Sequence, residues 1–284
     1  MHFDGTLFKL KEALDALATP VYVLTGRRPW SIGYYTAKKS AINAAIDGGA
    51  VRIGKLLPAH FGVAIDERIV EYPWLFEKLR RGEQSIGRIL DAGSTLNHDY
   101  ILDRSPLNRA NLTIMTLAPE KRCYWYKGYS YVFGDFRRTN FRDASFDTII
   151  SISTLEHVGL DNTMLYTDDP KKAEMDQAGF VDAIVEFKRI LAPGGRCLIT
   201  VPYGVSENFR WFQVFNKKMI RSLIDGFSPS SLEMEFFRYD KSGWQRASEV
   251  SAADAVAYDP HSGRGRQEDR AGCARAVACI QMIK

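Results

Sequence analysis

The chain has 284 residues, of which 25% are charged and 12% aromatic, and its formal net charge is +4. This length allows a core that buries about 75% of the unfolded surface, and the composition is that of an ordinary globular protein. The mild charge and the lack of a Lys/Arg-rich run speak against a nucleic-acid partner, and no apolar run reaches the roughly 18 residues of a membrane span.

The cysteines, Cys123, Cys197, Cys273 and Cys279, have no C-x-x-C spacing. They are typical of buried or incidental thiols in a reducing compartment. The first 20 residues have acids where a signal peptide needs bases, and they lack a long apolar segment. The sequence therefore predicts a cytoplasmic protein without a membrane partner, and it leaves the oligomeric state open.

Residues 1–85 are predicted to form a mainly helical region. Apolar residues recur there at three- and four-residue spacing, which is typical of amphipathic helices. We expect this region to pack on a sheet that follows, although Trp30 and the tyrosines near it could instead line a substrate cleft. The expected helices are 3–18 ended by Pro20, 34–46 ended by Gly48 and Gly49, and 68–82 with an interruption at Pro73.

From Arg88 the pattern changes to strand, loop, helix and strand, which indicates a parallel sheet. Short apolar runs bounded by glycine fit strands that are buried on both faces. The segment 247–272 is small, polar and glycine-containing, and it predicts a long loop. The expected strands are 88–91, 112–117, 129–133, 146–154, 196–204, 232–237 and 274–283, and the expected helices are 97–102, 180–191 and 211–224.

The stretch 84–97, QSIGRILDAGSTLN, reads as the first strand followed by a turn at Gly93. In doubly wound α/β folds, the loop after the first strand is where a nucleotide-like cofactor lies. A residue without Cβ lets the backbone turn tightly and approach a ligand closely. A turn glycine without any ligand is the alternative reading of this stretch.

Three segments carry a resemblance to a known family: RILDAGS, then GDFRRTNFRDASFDTIISISTLEHVG, then FKRILAPGGRCLITVPYG. In order and spacing they resemble the core motifs of class I S-adenosylmethionine-dependent methyltransferases. The resemblance implies an α/β, Rossmann-like, doubly wound fold with a mostly parallel seven-stranded sheet whose last strand is antiparallel. It implies a methyltransferase-like domain over 86–284, preceded by the helical region 1–85 as a cap on the substrate side.

The resemblance also implies S-adenosyl-L-methionine as the cofactor. It places the methionine end and the ribose near the loop after the first strand, and the adenine beside the end of the third strand. A carboxylate can accept from an amino group, and an aromatic ring can pack on a purine face. The expected cofactor-binding residues are Asp91, Gly93, Ser94, Thr116, Asp135, Phe136 and Ser153.

Two departures from the family pattern stand out. Gly93 is followed by Ser94, Thr95, Leu96 and Asn97 instead of a glycine repeat. Where the family has an acid that grips both ribose hydroxyls, this chain has Thr116, and the nearest acid downstream is Glu120. A lost charge-assisted hydrogen bond is worth about 1.5–3 kcal/mol, so either Glu120 or a backbone amide substitutes, or cofactor binding is weaker.

Glu156 and His157 follow the fourth strand, where the transferable methyl should face its acceptor. His157 has a suitable ordinary pKa for a general base, but a histidine that caps the strand or contacts the cofactor is the alternative. Four polar residues further on could hold Mg²⁺ near a sugar diol, although we prefer a solvated acidic loop and assign no metal. These four are Asp161, Asn162, Asp168 and Asp169, and the residues placed by position near the acceptor are Tyr166, Tyr203, Arg210 and Trp211.

The first hypothesis is a methyltransferase that transfers a methyl group to oxygen or nitrogen of a small molecule or a glycan precursor. Such a reaction needs alignment, and a base if the acceptor is a hydroxyl. The second is a methyltransferase-like protein that has lost or repurposed its activity and acts as a binding or regulatory partner, which the two departures motivate. A nucleotide-dependent oxidoreductase is disfavoured because the glycine fingerprint is incomplete.

Overall fold

A computed structural model of the chain describes residues 17, 19–24, 26–52, 55–81, 87–120, 122–167 and 169–284. The helix predicted over 3–18 lies almost entirely outside these residues, and so does Asp168. Within the described part, the chain forms a central sheet with helices on both faces. This is the α/β, doubly wound architecture that the sequence predicted.

The sheet has eight strands in the order β3-β2-β1-β4-β5-β8-β6-β7. The strands from β1 to β5 pair in parallel, whereas β8, β6 and β7 pair antiparallel. The bounds are β1 Arg88–Ala92, β2 Asn111–Thr116, β3 Ser130–Phe133, β4 Phe146–Ile152, β5 Leu191–Pro202, β6 Ser231–Asp240, β7 Gly243–Ala247 and β8 Ala276–Ile283.

The helices lie before, between and after these strands. Those of ten or more residues carry the packing, and the others are single turns in the loops. The bounds are α1 Thr19–Leu24, α2 Tyr34–Asp47, α3 Arg68–Arg81, α4 Asp99–Leu102, α5 Thr163–Tyr166, α6 Gly179–Ile190, α7 Lys217–Phe227 and α8 Glu249–Ala252.

Neighbouring residues of each central strand feed two different cores, because side chains alternate between the faces of a sheet. Ile89 packs with the side chains of α2 and α3, whereas Leu90 packs with those of α6 and α7. The strands are therefore apolar on both faces, as predicted for parallel strands. Helices of the 1–85 region share one of these cores with the sheet; the domain boundary near residue 85 stays a prediction.

The order of the strands reverses at β1, which pairs with β2 on one side and with β4 on the other. The chain leaves β1 in one direction and returns on the opposite side. In doubly wound sheets a crevice opens outside the carboxyl ends of the strands at such a reversal. The fold therefore directs attention to the loops that follow β1 and β4.

The prediction of seven strands was wrong by one. The additional strand, β7, forms a hairpin with β6 at the edge of the sheet, and Tyr239 pairs with Trp244. Its turn is closed by Asp240, whose carboxylate accepts from the backbone N–H and the hydroxyl of Ser242. The segment 247–272 also contains the short helix α8, so it is not a continuous loop.

The helix predicted over 211–224 was wrong in its first part. Helix α7 begins at Lys217 because Asn216 caps it, accepting a hydrogen bond from the Met219 N–H at 3.0 Å. The preceding residues are not helical, and isolated bridges pair Tyr203 with Phe215 and Asn208 with Gln213. This excursion carries Trp211 to the site described below.

The interruption that the sequence predicted at Pro73 is absent, because Pro73 lies inside α3, which runs without a break. Pro20 lies in the first turn of α1, and the helix that it was predicted to end lies almost entirely outside the described residues. Nearly every side chain of α3 from Ile69 to Leu79 is buried, and this packing outweighs the one hydrogen bond that a proline removes. Helix α6 ends at Ile190, and Pro193 already belongs to β5.

No helix among the described residues is long and apolar enough to cross a membrane.

Candidate functional site

The loop after β1 turns at Gly93, which has a φ of +127°. A Cβ at this position would lie 2.1 Å from Oγ1 of Thr154, a residue of the loop after β4. The N–H of Gly93 donates to the carbonyl of Met115 at 2.9 Å, which ties the same loop to β2. Only glycine therefore lets the loops after β1 and β4 approach each other this closely.

Asp91, near the end of β1, stabilises this loop through a hydrogen bond. Its carboxylate is buried and accepts from the N–H of Leu96 at 3.0 Å. Burial raises the pKa of Asp91 to about 7. Ser94 is also buried, and its Oγ has no hydrogen-bond partner in the described part of the chain.

Asn97 fixes the far end of the loop. Its side-chain amide donates to Oε2 of Glu120 at 2.9 Å and to the carbonyl of Arg122, and its oxygen accepts from the Tyr131 hydroxyl. Glu120 is thus engaged by the loop. Thr116 is buried, and its hydroxyl lies 3.4 Å from that of Tyr166.

A cavity of about 230 Å³, here called the first cavity, opens beyond the ends of β1, β3 and β4. Of the residues predicted to bind the cofactor, Gly93, Asp135, Phe136 and Ser153 line this cavity, whereas Asp91, Ser94 and Thr116 are not part of its lining. The other lining residues are Thr95, Leu117, Gly134, Arg137, Thr154, His157, Val158, Gly159, Leu160, Asn162, Leu165, Tyr166, Lys172 and Glu174.

The polar groups of the first cavity are largely paired with each other. Asp135 accepts from the guanidinium of Arg137 at 2.6 Å, and Arg137 also contacts Glu174. The pKa of Asp135 is lowered because the hydrogen bonds of Arg137 outweigh the cost of its partial burial. Asn162 also lines the cavity, and its Oδ1 is a buried acceptor without a partner among the described residues.

A second cavity, of about 430 Å³, lies on the side of the N-terminal helices. Its charged residues come from α2, from the start of α3 and the two residues before it, and from the loop after β4, and its aromatic residues come from three separate loops. The lining consists of Trp30, Lys38, Asp66, Glu67, Arg68, Ser153, Glu156, His157, Pro202, Trp211, Phe212, Pro260, His261, Cys273 and Ala274. Ser153 and His157 line both cavities, so the two spaces meet beyond the end of β4.

Helix α3 braces the loops that separate the cavities. Glu71 is fully buried and accepts from the hydroxyls of Ser153 at 2.6 Å and of Thr200 at 2.7 Å, while it pairs with Arg68. The hydroxyl of Tyr72 donates to the carbonyl of Thr95 in the loop after β1, at 2.6 Å. One buried helix therefore positions both loops.

His157 is held by its neighbours as a neutral side chain. Its Nδ1 lies 2.7 Å from the carbonyl of Trp211, and its ring stacks on the Trp211 ring. Because a carbonyl can only accept, Nδ1 carries the hydrogen and Nε2 keeps its lone pair. Burial lowers the pKa of His157 to about 4, so the ring is a weak base at neutral pH.

Glu67 and Glu156 are two carboxyl groups of the second cavity with unsatisfied oxygens. The Oε2 atom of each is buried and has no hydrogen-bond partner in the described part of the chain. Burial raises the pKa of Glu67 to about 7 and the pKa of Glu156 well above its ordinary value. Burial therefore favours the protonated form of both groups when nothing else is bound.

The acceptor-side residues predicted by position are divided by the structure. Trp211 lines the second cavity and Tyr166 lines the first, whereas Tyr203 is in the core and Arg210 is exposed beside Asp161. No group of three or more side chains suited to a metal ion occurs among the described residues.

Sequence reasoning missed the charged residues of α2 and α3. Lys38, Asp66, Arg68 and Glu71 entered no predicted site, because they precede the sheet motifs by many residues. The signal that could have found them is the pair of charges, Arg68 and Glu71, inside the otherwise apolar first part of α3, residues 68–76. Buried charges of this kind are expected to be paired or functional.

Residues 100–199 match the family model of the methyltransferase domain. No curated protein matches the sequence. Among solved structures, a candidate sarcosine dimethylglycine methyltransferase from Galdieria sulphuraria is 16% identical, with a TM-score of 0.50 over 76% of this chain and 86% of that one.

Two other solved structures are similar with lower scores. The N-methyltransferase NodS from Bradyrhizobium japonicum is 14% identical, with a TM-score of 0.44 over 75% of this chain and 93% of that one. The phosphoethanolamine N-methyltransferase 2 of Haemonchus contortus, in complex with S-adenosyl-L-methionine, is 19% identical, with a TM-score of 0.39 over 55% of this chain and 36% of that one.

Proposed function

We propose that this chain is a class I S-adenosylmethionine-dependent methyltransferase and that it transfers a methyl group to oxygen or nitrogen of a small molecule or saccharide. The observation that carries the proposal is the pair of cavities that meet at Ser153 and His157. Methyl transfer needs a donor and an acceptor aligned across one short gap. Two adjoining spaces at the reversal of the strand order provide that arrangement.

The first cavity suits the cofactor, and its residues support this assignment. The turn at Gly93 lets the loop after β1 lie close against Thr154, and this leaves space for a ligand in the first cavity. Phe136 offers an aromatic face, and the unpartnered Oδ1 of Asn162 offers an acceptor for an amino or hydroxyl group. We propose that Gly93, Ser153, Asp135, Phe136 and Asn162 hold the cofactor, with Asp91, Ser94 and Thr116 shaping the loops behind them.

When bound, S-adenosylmethionine supplies a methyl group on a positively charged sulfur, and transfer forms a bond from the acceptor to that carbon while the electron pair of the broken C–S bond stays on sulfur. The chain has to exclude water and align the acceptor. Ser153 is fixed by its hydrogen bond to Glu71, and His157 by its contacts with Trp211. We propose both as positioning residues where the cavities meet.

Glu156 and His157 were predicted as catalytic residues. With a pKa of about 4, His157 is a poor general base at neutral pH, so we propose that it presents a lone pair on Nε2 to the acceptor. Glu156 faces the second cavity and is proposed to contact the acceptor directly. The region 1–85 is proposed as the substrate side, because α2, α3 and Trp30 contribute to that cavity.

Calorimetric titration with S-adenosylmethionine and S-adenosylhomocysteine tests the cofactor assignment. We expect saturable heat and an upward shift in Tm with both ligands, because a ligand that binds only the folded state stabilises it. Absence of both effects at millimolar ligand would contradict the proposal. Methyl-transfer profiling with labelled cofactor on a host extract then identifies the acceptor class.

A binding or regulatory protein of the same fold is the second candidate. Two observations favour it: Thr116 stands where the family has an acid, and Glu120 is engaged by Asn97. A purified protein that binds S-adenosylmethionine and methylates an acceptor would exclude this candidate. We also propose a cytoplasmic location, which the four free cysteines support.

A further inference from the structure

We propose that the second cavity binds its acceptor through an ammonium group, so that the substrate is a primary or secondary amine and the methyl group goes to nitrogen. This inference rests on the proposed function and narrows its acceptor class. It is carried by the pairing of charges in the cavity, by two unsatisfied carboxyl oxygens and by the apolar walls around them.

The charges of the second cavity do not balance. Lys38 is paired with Asp66 at 2.5 Å, and Arg68 is paired with Glu71. Glu67 and Glu156 form no salt bridge with a described residue. Once the paired groups have neutralised each other, two carboxyl groups remain to face the ligand.

The same two carboxyl groups have the unsatisfied oxygens. Glu156 is only 4% exposed, and Oε2 of both Glu156 and Glu67 lacks a donor among the described residues. A buried acceptor without a donor destabilises the protein, so such atoms indicate a missing partner. An ammonium group brings up to three N–H donors, and its positive charge can pair with these carboxyl groups when they are ionised. A hydroxyl brings one donor and no charge.

The walls of the cavity strengthen this preference. Trp30, Trp211 and Phe212 present aromatic surface to it. Apolar walls lower the local dielectric constant, which increases the attraction between a carboxylate and a cation. An anionic acceptor would meet carboxyl groups whose repulsion no free cation of the described lining offsets.

The transfer also needs a proton acceptor, because an ammonium nitrogen has no lone pair. Binding of the cation favours the ionised form of Glu67, which then takes one proton from the ammonium group and leaves a neutral amine. The lone pair of that nitrogen forms the new N–C bond as the C–S bond of the cofactor breaks, and the pair of the broken bond remains on sulfur. The methylated nitrogen becomes positively charged again, and the proton that it lost stays on Glu67 until the product leaves.

Binding of three small probes tests the inference directly: butylamine, 1-butanol and butyrate. They have the same chain length and carry a cation, a neutral hydroxyl and an anion, respectively. Each is titrated by ligand-detected NMR into the full chain, with and without S-adenosylhomocysteine. We expect butylammonium to bind at least about 10-fold more tightly than 1-butanol, and butyrate to bind most weakly.

Two variants and a control assign the preference to the cavity. Glu67→Gln and Glu156→Gln keep the shape but remove the carboxylates, and each should reduce the preference for butylammonium over 1-butanol by about 10-fold. Glu77→Gln is the matched control, because it makes the same change in a glutamate that lies outside the cavity lining and pairs with the exposed Arg81. It should leave the preference unchanged.

The outcomes separate this inference from the proposed function. Equal binding of butylammonium and 1-butanol, stronger binding of butyrate, or no butylammonium binding would overturn the inference, even if S-adenosylhomocysteine binds. A preference for butylammonium that Glu67→Gln and Glu156→Gln remove would support it. Failure of S-adenosylhomocysteine to bind contradicts the proposed function alone, since the probes measure the second cavity by itself.

Discussion

The two cavities differ in how their parts are distributed along the chain. The first cavity is built mostly from loops that directly follow β1, β3 and β4, and its lining lies between residues 93 and 174. The second cavity gathers residues from Trp30 to Ala274. A site that one supersecondary pattern builds can be recognised from that pattern, whereas a site assembled from distant segments becomes visible only in the folded chain.

They also differ in how their charges are satisfied. In the first cavity, Asp135 is tied to Arg137, which also contacts Glu174. In the second, Glu67 and Glu156 keep oxygens without partners among the described residues. The first cavity is therefore preorganised by its own ion pairs, while the second cavity is completed electrostatically by what it binds.

The largest expected effect comes from Gly93→Ala. A Cβ would lie 2.1 Å from Oγ1 of Thr154, and the φ of +127° is unfavourable for any residue with a side chain. We expect affinity for S-adenosylhomocysteine, measured by calorimetry, to fall by about 100-fold or more. Strain and a steric clash that weaken binding by about 2–3 kcal/mol correspond to a factor of this size.

The control for this variant is Gly128→Ala, another glycine with positive φ but with nothing within 4 Å of an added Cβ. Binding of butylammonium to the second cavity should survive in both proteins, which would show that Gly93→Ala acts on the first cavity. Unchanged affinity for S-adenosylhomocysteine in Gly93→Ala would remove the assignment of the first cavity.

Much of the first cavity could be predicted from sequence because short-range signals define it. Glycine after a buried strand, as at Gly93, and an acid followed by an aromatic residue after β3, as at Asp135 and Phe136, are local patterns. What could not be predicted is which polar side chain faces the cavity. Asp91 and Thr116 are not part of the lining: Asp91 accepts from the N–H of Leu96 in its own loop, and the hydroxyl of Thr116 lies beside that of Tyr166.

Most residues of the second cavity could not be predicted from the sequence. Trp211 was placed near the acceptor by position, although the helix assigned to it does not exist at that point. Glu67 and Arg68 reach the site through the packing of α3 on the sheet, and periodicity cannot show against which strands a helix packs. Trp30 was recognised as a candidate for the substrate side, and it does line the cavity.

The next test is a substitution in α3 that we expect to affect both cavities equally. Glu71→Gln weakens the hydrogen bonds from Ser153 and Thr200 and leaves the partly buried charge of Arg68 without its buried partner. Breaking a buried ion pair from one side costs about 3–5 kcal/mol, so we expect a clearly lower free energy of unfolding by urea titration.

In the same variant, affinity for S-adenosylhomocysteine and affinity for butylammonium should both fall by about 10-fold, because Ser153 lies where the cavities meet. Glu77→Gln serves as the control on the same helix. If only one of the two affinities changes, the brace formed by α3 does not couple the cavities.

The pH dependence of cation binding is a further test that distinguishes the two cavities, and the expected change in affinity is smaller than in the variants above. The pKa of Glu67 is raised to about 7 in the folded chain from an ordinary value of 4.5, mainly by burial. The folded state thus keeps a proton that the unfolded chain has lost, so this group's contribution to stability is full below pH 4.5 and is lost as the pH rises through 7.

Binding of a cation favours the ionised carboxylate, so its pH dependence has the opposite sign. Affinity for butylammonium should increase by about 3- to 10-fold between about pH 6 and pH 8, and Glu67→Gln should flatten this profile. A flat profile in the unmodified protein would exclude Glu67 as the titrating group. The titratable and charged groups around Glu67 in the cavity are Lys38, Asp66, Arg68, Glu71, Glu156, His157, His261 and Cys273.

The smallest expected effect concerns the acid that the family has at the end of β2. Glu120 is the nearest acid to Thr116 downstream, yet its carboxylate accepts from Asn97 and is not part of the lining of the first cavity. Glu120→Gln keeps an oxygen that can accept the same hydrogen bond, so affinity for S-adenosylhomocysteine should change by less than about 2-fold. A loss of about 10-fold, measured by calorimetry beside Glu77→Gln, would mean that Glu120 contacts the ribose. The first cavity would then, like the second, bind its ligand through a carboxylate.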